Sequence, residues 1–155
     1  MKPLIAVVGG SAGSPEEIEW AEAVGRLLAE AGAILLCGGL GGVMEAAARG
    51  AKAAQGLTIG ILPGSDSADA NPYIDVPLAT GMGEMRNALI VRAAGAVIAI
   101  GGGWGTLSEI ALAQRIKTPV VGLHDAFTST VDIPRVTTPA QAVRWALEQA
   151  SQRTV

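Results

Sequence analysis

The sequence predicts a doubly wound α/β fold: a mostly parallel, Rossmann-like sheet with helices on both faces. Two patterns carry that expectation. Short, almost continuously apolar runs alternate with longer alanine-rich amphipathic stretches, and three of the apolar runs end in glycine. Strands that are apolar throughout are covered on both faces, and strand–helix alternation with right-handed crossovers yields a parallel sheet.

The runs are LIAVV (4–8), AILLC (33–37), LTIGIL (57–62), AVIAI (96–100) and PVVGL (119–123). IDVPL (74–78) is a weaker strand, because Pro77 lacks the amide a central ladder needs and suits an edge or a strand end. Helices fill the intervals. The first, over 14–32, opens with Ser14 as N-cap, Pro15 at the first helical position and Glu17 closing a capping box, and Gly32 stops it. Others are predicted at GGVMEAAARGAKAAQG (41–56), GEMRNALIVRAAG (83–95), TLSEIALAQRIK (106–117) and TPAQAVRWALEQA (138–150). GSDSADANP (64–72) is the longest loop, and no linker, repeat or low-complexity tract divides the chain, so one domain over 1–155 is expected.

Composition narrows the function. The 155 residues, half of them apolar, suffice for a real core. No apolar run reaches the length of a membrane span, and MKPLIAVVGG reads as a first strand rather than a signal segment. A cytoplasmic protein without a membrane partner is expected. A net charge of −3 and 3% aromatic residues argue against nucleic acid, which selects basic surfaces and stacking rings. One cysteine, Cys37, excludes an intrachain disulfide and reads as a small buried residue. With His124 as the single histidine, no metal site is expected.

The glycine-ended runs are VVGGSAGS, LCGGLGGV and AIGGGWGT. In open α/β sheets ligands bind beyond the carboxyl ends of the strands, where glycine admits close backbone approach and helix N-termini attract anions. The candidate ligand-binding residues are therefore Gly9, Gly10 and Ser11 in the first corner and Gly38, Gly39 and Gly41 in the second. The third supplies Gly101, Gly102, Gly103, Trp104, Gly105 and Thr106. A dinucleotide G-x-G-x-x-G is absent, no acidic residue ends the second strand, and GWGT lacks the Walker A lysine. What remains is a phosphate held by amides near Gly102, Gly103 and Gly105, helped by the Thr106 hydroxyl. Trp104 either stacks on a flat ligand or covers the loop. TLSE also reads as a capping box, with Thr106 as N-cap and Glu109 reaching back, and spacing alone does not separate that role from chemistry. Arg86 would by default be a solvated helix arginine.

These motifs resemble a known family. GGGWGTLSE resembles the P-G-G-x-G-T-x-x-E motif of the lonely-guy (LOG) proteins, long labelled lysine decarboxylases, and GEMRN matches part of their M-x-x-R-K motif at the same interval. VVGGSAGS, GGLGGVMEAAARGA and IGILPG are similar to the family's earlier signatures, so the resemblance covers nearly the whole chain. LOG enzymes cleave the N-glycosidic bond of cytokinin nucleoside 5′-monophosphates. The resemblance implies phosphate held by Gly102, Gly103, Gly105 and Thr106, with Arg86 and Glu109 as the catalytic pair. Gly101, Asn87, Gly83 and Glu45 depart from the LOG pattern, and GGG-x-GT, RN and GVMEA resemble a sister group that includes the molybdenum-cofactor carrier proteins.

That sister group binds a phosphorylated pterin without transforming it. The leading expectation is thus carrier-like binding of the molybdenum cofactor or a nucleoside monophosphate, with no required cofactor. A nucleoside 5′-monophosphate phosphoribohydrolase is the alternative, and a DNA-binding module ranks third. A PLP decarboxylase is rejected, because Lys2, Lys52 and Lys117 all lie outside the glycine corners. A homodimer or homotetramer is expected from the apolar composition and the family's habit, with Trp20 and Trp145 placed either in an interface or in the core.

Overall fold

The computed structural model describes residues 1–124 and 131–153. In chain order the elements are β1 (Leu4–Gly9), α1 (Pro15–Glu30), β2 (Ile34–Cys37), α2 (Val43–Ala53), β3 (Thr58–Leu62) and β4 (Val76–Ala79). There follow α3 (Asn87–Ala93), β5 (Ala96–Ile100), α4 (Trp104–Ile116), β6 (Val120–Leu123), β7 (Arg135–Val136) and α5 (Pro139–Gln152), with short 3-10 turns at Ser67–Asp69 and Gly83–Arg86. The strands form a seven-stranded sheet in the order β4-β3-β2-β1-β5-β6-β7. Every pairing is parallel.

The period-two geometry of each strand divides the apolar residues between two cores. Ile5 and Val7 face one layer with Val24 and Leu28 of α1, Ala47 of α2 and Ala146 of α5. Ala6 and Val8 face the other with Ile90 and Val91 of α3 and Ile110 and Ala113 of α4. This is why the central strands are apolar at every position, as the sequence pattern required. Trp20 and Trp145 pack partly buried against the first core.

Both ends of α1 follow their sequence signals. The Ser14 hydroxyl accepts from the Glu17 amide at 3.2 Å, and the Glu17 carboxylate accepts from the Ser14 amide at 2.9 Å. Thr138 and Gln141 form the same reciprocal cap on α5. Three local expectations are corrected. β7 is only two residues long, too short to leave an apolar run, and adds a strand beside β6. Residues 83–86 form a 3-10 turn rather than the start of an α-helix, which begins at Asn87. α4 begins at Trp104, so Thr106 lies inside the helix and the TLSE capping box does not form. Among the described residues, no helix is long and apolar enough to cross a membrane.

Helices α1 and α2 touch backbone to backbone. A Cβ at Gly25 would fall within contact distance of the Ala47 carbonyl, and one at Gly50 within that of the Glu22 carbonyl. Gly25→Ala is therefore expected to lower stability by about 1–3 kcal/mol, despite alanine's better helix propensity. Urea unfolding followed by circular dichroism checks this; a stabilised variant would mean the helices separate at little cost.

Candidate functional site

Strand order reverses between β1 and β5: the chain leaves β1 toward β2 and leaves β5 toward β6. A cleft of about 540 Å³ opens at this edge of the sheet. Gly9, Gly10 and Ser11 line it from the end of β1, Gly38 from the end of β2, and Gly102, Gly103, Gly105 and Thr106 from the β5–α4 corner. Arg86 and Glu109 also line it, so most of the residues singled out in the sequence share one cavity. Gly39, Gly41, Gly101 and Trp104 do not line it. The Gly39 carbonyl instead accepts from the Asn71 amide at 2.9 Å, and Gly41 lies against the Ser11 carbonyl. Gly101 rests on the Glu17 carboxylate. Trp104 stands 87% exposed at the start of α4.

The β5–α4 corner is shaped by backbone that side chains resist. Gly102 has a φ of +104°, and a Cβ there would collide with the Thr106 side chain. Gly103, the N-cap, has no side chain to offer, so the first amides of α4 carry no side-chain cap. An uncapped helix N-terminus presents free N–H groups and the positive end of the helix dipole. Thr106 is 3% exposed, yet its hydroxyl has no hydrogen-bond partner among the described residues. No buried side-chain nitrogen or oxygen among the described residues lacks a partner, so this hydroxyl is reached from the cleft.

Arg86 is buried rather than solvated, contrary to the default for its residue type. The 3-10 turn carries it under β3, where its Nε donates to the Ile61 carbonyl at 2.8 Å. Its Nη1 donates to Asn87 Oδ1. Asn87 Nδ2 donates to Ser108 Oγ at 3.3 Å, and Ser108 Oγ donates to the Gly105 carbonyl at 2.6 Å. Glu109 sits one helical turn below Thr106 and is 7% exposed. Burial pushes its pKa up to about 7; the Arg86 charge pulls downward and Glu84 adds to the rise. The ion pairs among the described residues are Arg26–Glu30, Arg49–Glu22 and Lys52–Asp75, all outside the cleft. Arg86 and Glu109 thus share a cavity without pairing to each other.

Cys37 is buried at the end of β2, and burial raises its thiol pKa to about 11. The His124 ring stacks on Trp20 with centroids 3.8 Å apart. Among the described residues, no group of three or more His, Cys, Asp or Glu side chains is arranged to hold a metal ion.

The profile of the SLOG cluster4 family matches residues 2–152. The chain belongs to that family. The SLOG cluster4 chain is 45% identical to an uncharacterized protein of Archaeoglobus fulgidus over 124 residues, 76% of this chain and 82% of that one. It superposes on the molybdenum cofactor binding protein of the phototrophic bacterium Rippkaea orientalis with a TM-score of 0.87 and 38% identity, covering 96% of this chain and 97% of that one. With the molybdenum cofactor carrier protein of Chlamydomonas reinhardtii the TM-score is 0.88 at 34% identity, covering 99% and 100%. The family match and these neighbours place the chain in the LOG-like superfamily, beside the carrier-protein group whose signatures its motifs resemble.

Glu17 and Asn87 are among the cleft residues not singled out as functional in the sequence. Glu17 lines the cavity while also capping α1. Its second role depends on the β5–α4 loop arriving from far along the chain, so nothing local announces it. Asn87 also lines the cavity, and its one sequence signal was its departure from the LOG motif.

The raised pKa of Glu109 has a defined consequence for stability. A carboxyl that holds its proton more tightly when folded contributes most below the unfolded value of 4.5, and that contribution is lost as pH climbs through about 7. Between pH 5 and 8, wild type should lose roughly 2–3 kcal/mol relative to Glu109→Gln, which does not titrate. Urea midpoints of both proteins across this range measure it; a constant difference would show that Glu109 titrates as in the unfolded chain.

Proposed function

We propose that this SLOG cluster4 protein binds a phosphorylated, nucleotide-like molecule, the molybdenum cofactor or a nucleoside monophosphate, and carries it unchanged. The phosphate is seated at Gly102, Gly103, Gly105 and Thr106. The observation that carries this reading is the uncapped N-terminus of α4, which opens on the switch-point cleft beside the partnerless Thr106 hydroxyl. A cavity of about 540 Å³ suits a ligand of this size. Gly9, Gly10, Ser11 and Gly38 let the backbone come close to its body, while Arg86 and Glu109 supply polar contacts deeper in the cleft. Support also comes from the Rippkaea and Chlamydomonas neighbours, described respectively as binding and carrying the molybdenum cofactor.

A second reading, a nucleoside 5′-monophosphate phosphoribohydrolase, is favoured by one specific feature. Glu109 is a buried carboxyl with no protein partner that titrates near neutrality. Ionised, it would stabilise positive charge growing on the ribose as the C1′–N bond breaks, and would orient the water that adds to C1′. The water's proton passes by way of the Glu109 carboxylate to the departing base, and Arg86 stabilises the negative charge that develops on the base before it is protonated, or that of the phosphate.

This reading takes the protein as cytoplasmic, with no nucleic-acid or membrane partner, and as a homodimer or homotetramer. The exposed Met82 just before the 3-10 turn, Met85 on it, Leu89 on α3 and Trp104 on α4 support self-assembly. Light scattering coupled to gel filtration reads the assembly directly.

Nucleoside 5′-monophosphates are expected to raise the melting temperature without releasing base. Gly102→Ala should lose most of that shift, because its Cβ would displace Thr106. Chromatographic detection of free base from wild type, absent with Glu109→Gln, would replace carriage with hydrolysis. An unliganded melting curve unchanged by every monophosphate and by molybdenum cofactor would reject both.

A further inference from the structure

Arg86 enters the cleft with much of its hydrogen-bonding capacity committed. Nε serves the Ile61 carbonyl and Nη1 serves Asn87 Oδ1. Two of its five N–H groups are thereby taken; Nη1 keeps one and Nη2 is left with both. Nη2 has no protein partner and sits over the backbone of Gly38, where a Cβ would come within 2.9 Å of it. As no buried side-chain nitrogen among the described residues is unpartnered, Nη2 is reached from the cleft.

Asn87 makes this arrangement specific. Its amide has one workable orientation: Oδ1 toward the guanidinium, which only donates, and Nδ2 toward Ser108 Oγ, which accepts. Ser108 passes the link to the Gly105 carbonyl, inside the corner that seats the phosphate. Arg86 and Asn87 are each 6% exposed, so the link runs through a medium where hydrogen bonds are strong and misplaced ones costly. A lysine at this position, as in the LOG motif, would present only donors to a guanidinium.

We propose that Asn87 is a positioning residue that fixes Arg86 so that Nη2 meets a hydrogen-bond acceptor of the ligand, and ties it to the phosphate-seating corner. The cleft therefore recognises its ligand at two ends. One end is a phosphate at the start of α4; the other is a carbonyl or ring-nitrogen acceptor on the heterocycle, held at Nη2. This rests on the proposed phosphate seat and adds the requirement at the far end.

The test is calorimetric titration of wild type, Asn87→Ala, Arg86→Gln and the double variant with two probes. Inorganic phosphate occupies only the α4 end; GMP carries both a phosphate and ring acceptors. Asn87→Ala is expected to weaken GMP roughly tenfold while leaving phosphate within about twofold. In the Arg86→Gln background, the same change should cost nothing further, because Asn87 acts through Arg86. Melting temperatures confirm folding, and Asn87→Ser repeats the measurement if the alanine variant does not fold. Equal weakening of both probes would make Asn87 merely structural for the loop, and undiminished GMP binding or a full additional loss in the Arg86→Gln background would equally overturn the proposal. A wild type that binds phosphate yet holds GMP no more tightly would overturn it while sparing the phosphate seat. A wild type that binds neither removes the seat, and this inference with it.

Discussion

The pairing of β1 with β5 at the centre of the sheet, in register from Ile5 with Ala96 to Gly9 with Ile100, is the constraint on which the site depends. Parallel strands end at the same edge, so the chain leaves both strands on one side of the molecule. From there it must diverge, because β2 occupies the far side of β1 and β6 the far side of β5. The gap between the departing chains cannot be filled by either connection. Helices α1 and α4 begin at its rim, on opposite faces of the sheet, and the glycine corners border it.

The charges around that gap are lopsided. Glu17, Glu84 and Glu109 line it against one arginine, and that arginine is tethered by the protein. A second dianionic group on a ligand would find few charges to meet it. The anion-attracting power of the cleft resides chiefly in amides and in the dipole of α4, which cost little desolvation and do not titrate. Burying Glu109 without a partner is unfavourable for folding and is the kind of local cost that persists at binding sites.

The same feature explains where the local reading of the sequence went astray. Thr106 and Glu109 have the spacing of a capping box, and in α1 and α5 that spacing yields one. In the third corner, Gly101 and Gly102 take positive φ values and turn the chain so tightly that α4 starts at Trp104. The cap position passes to Gly103, Thr106 moves inside the helix, and Glu109 is freed for the cleft. Arg86 shows a parallel effect: its residue type suggested solvent, yet the 3-10 turn and the Ile61 carbonyl draw it inward.

By itself the sequence determined the architecture. Continuous apolar runs such as AVIAI admit only doubly covered strands, the intervening amphipathic stretches supply the covers, and Ser14–Pro15 and Thr138–Pro139 start helices through contacts within one turn. It also pointed to three glycine corners, because a backbone that reverses sharply leaves glycine behind. Tertiary structure alone decided which of those glycines face the cleft: Gly38 does, whereas Gly39 meets Asn71 from a distant loop. It decided as well that Glu17 shares the cavity, that Arg86 and Glu109 are buried there unpaired, and that Asn87 joins Arg86 to the α4 corner. The reason is physical: a cap or a strand period is settled by neighbours along the chain, whereas burial, pairing and pKa are settled by whatever the fold brings alongside.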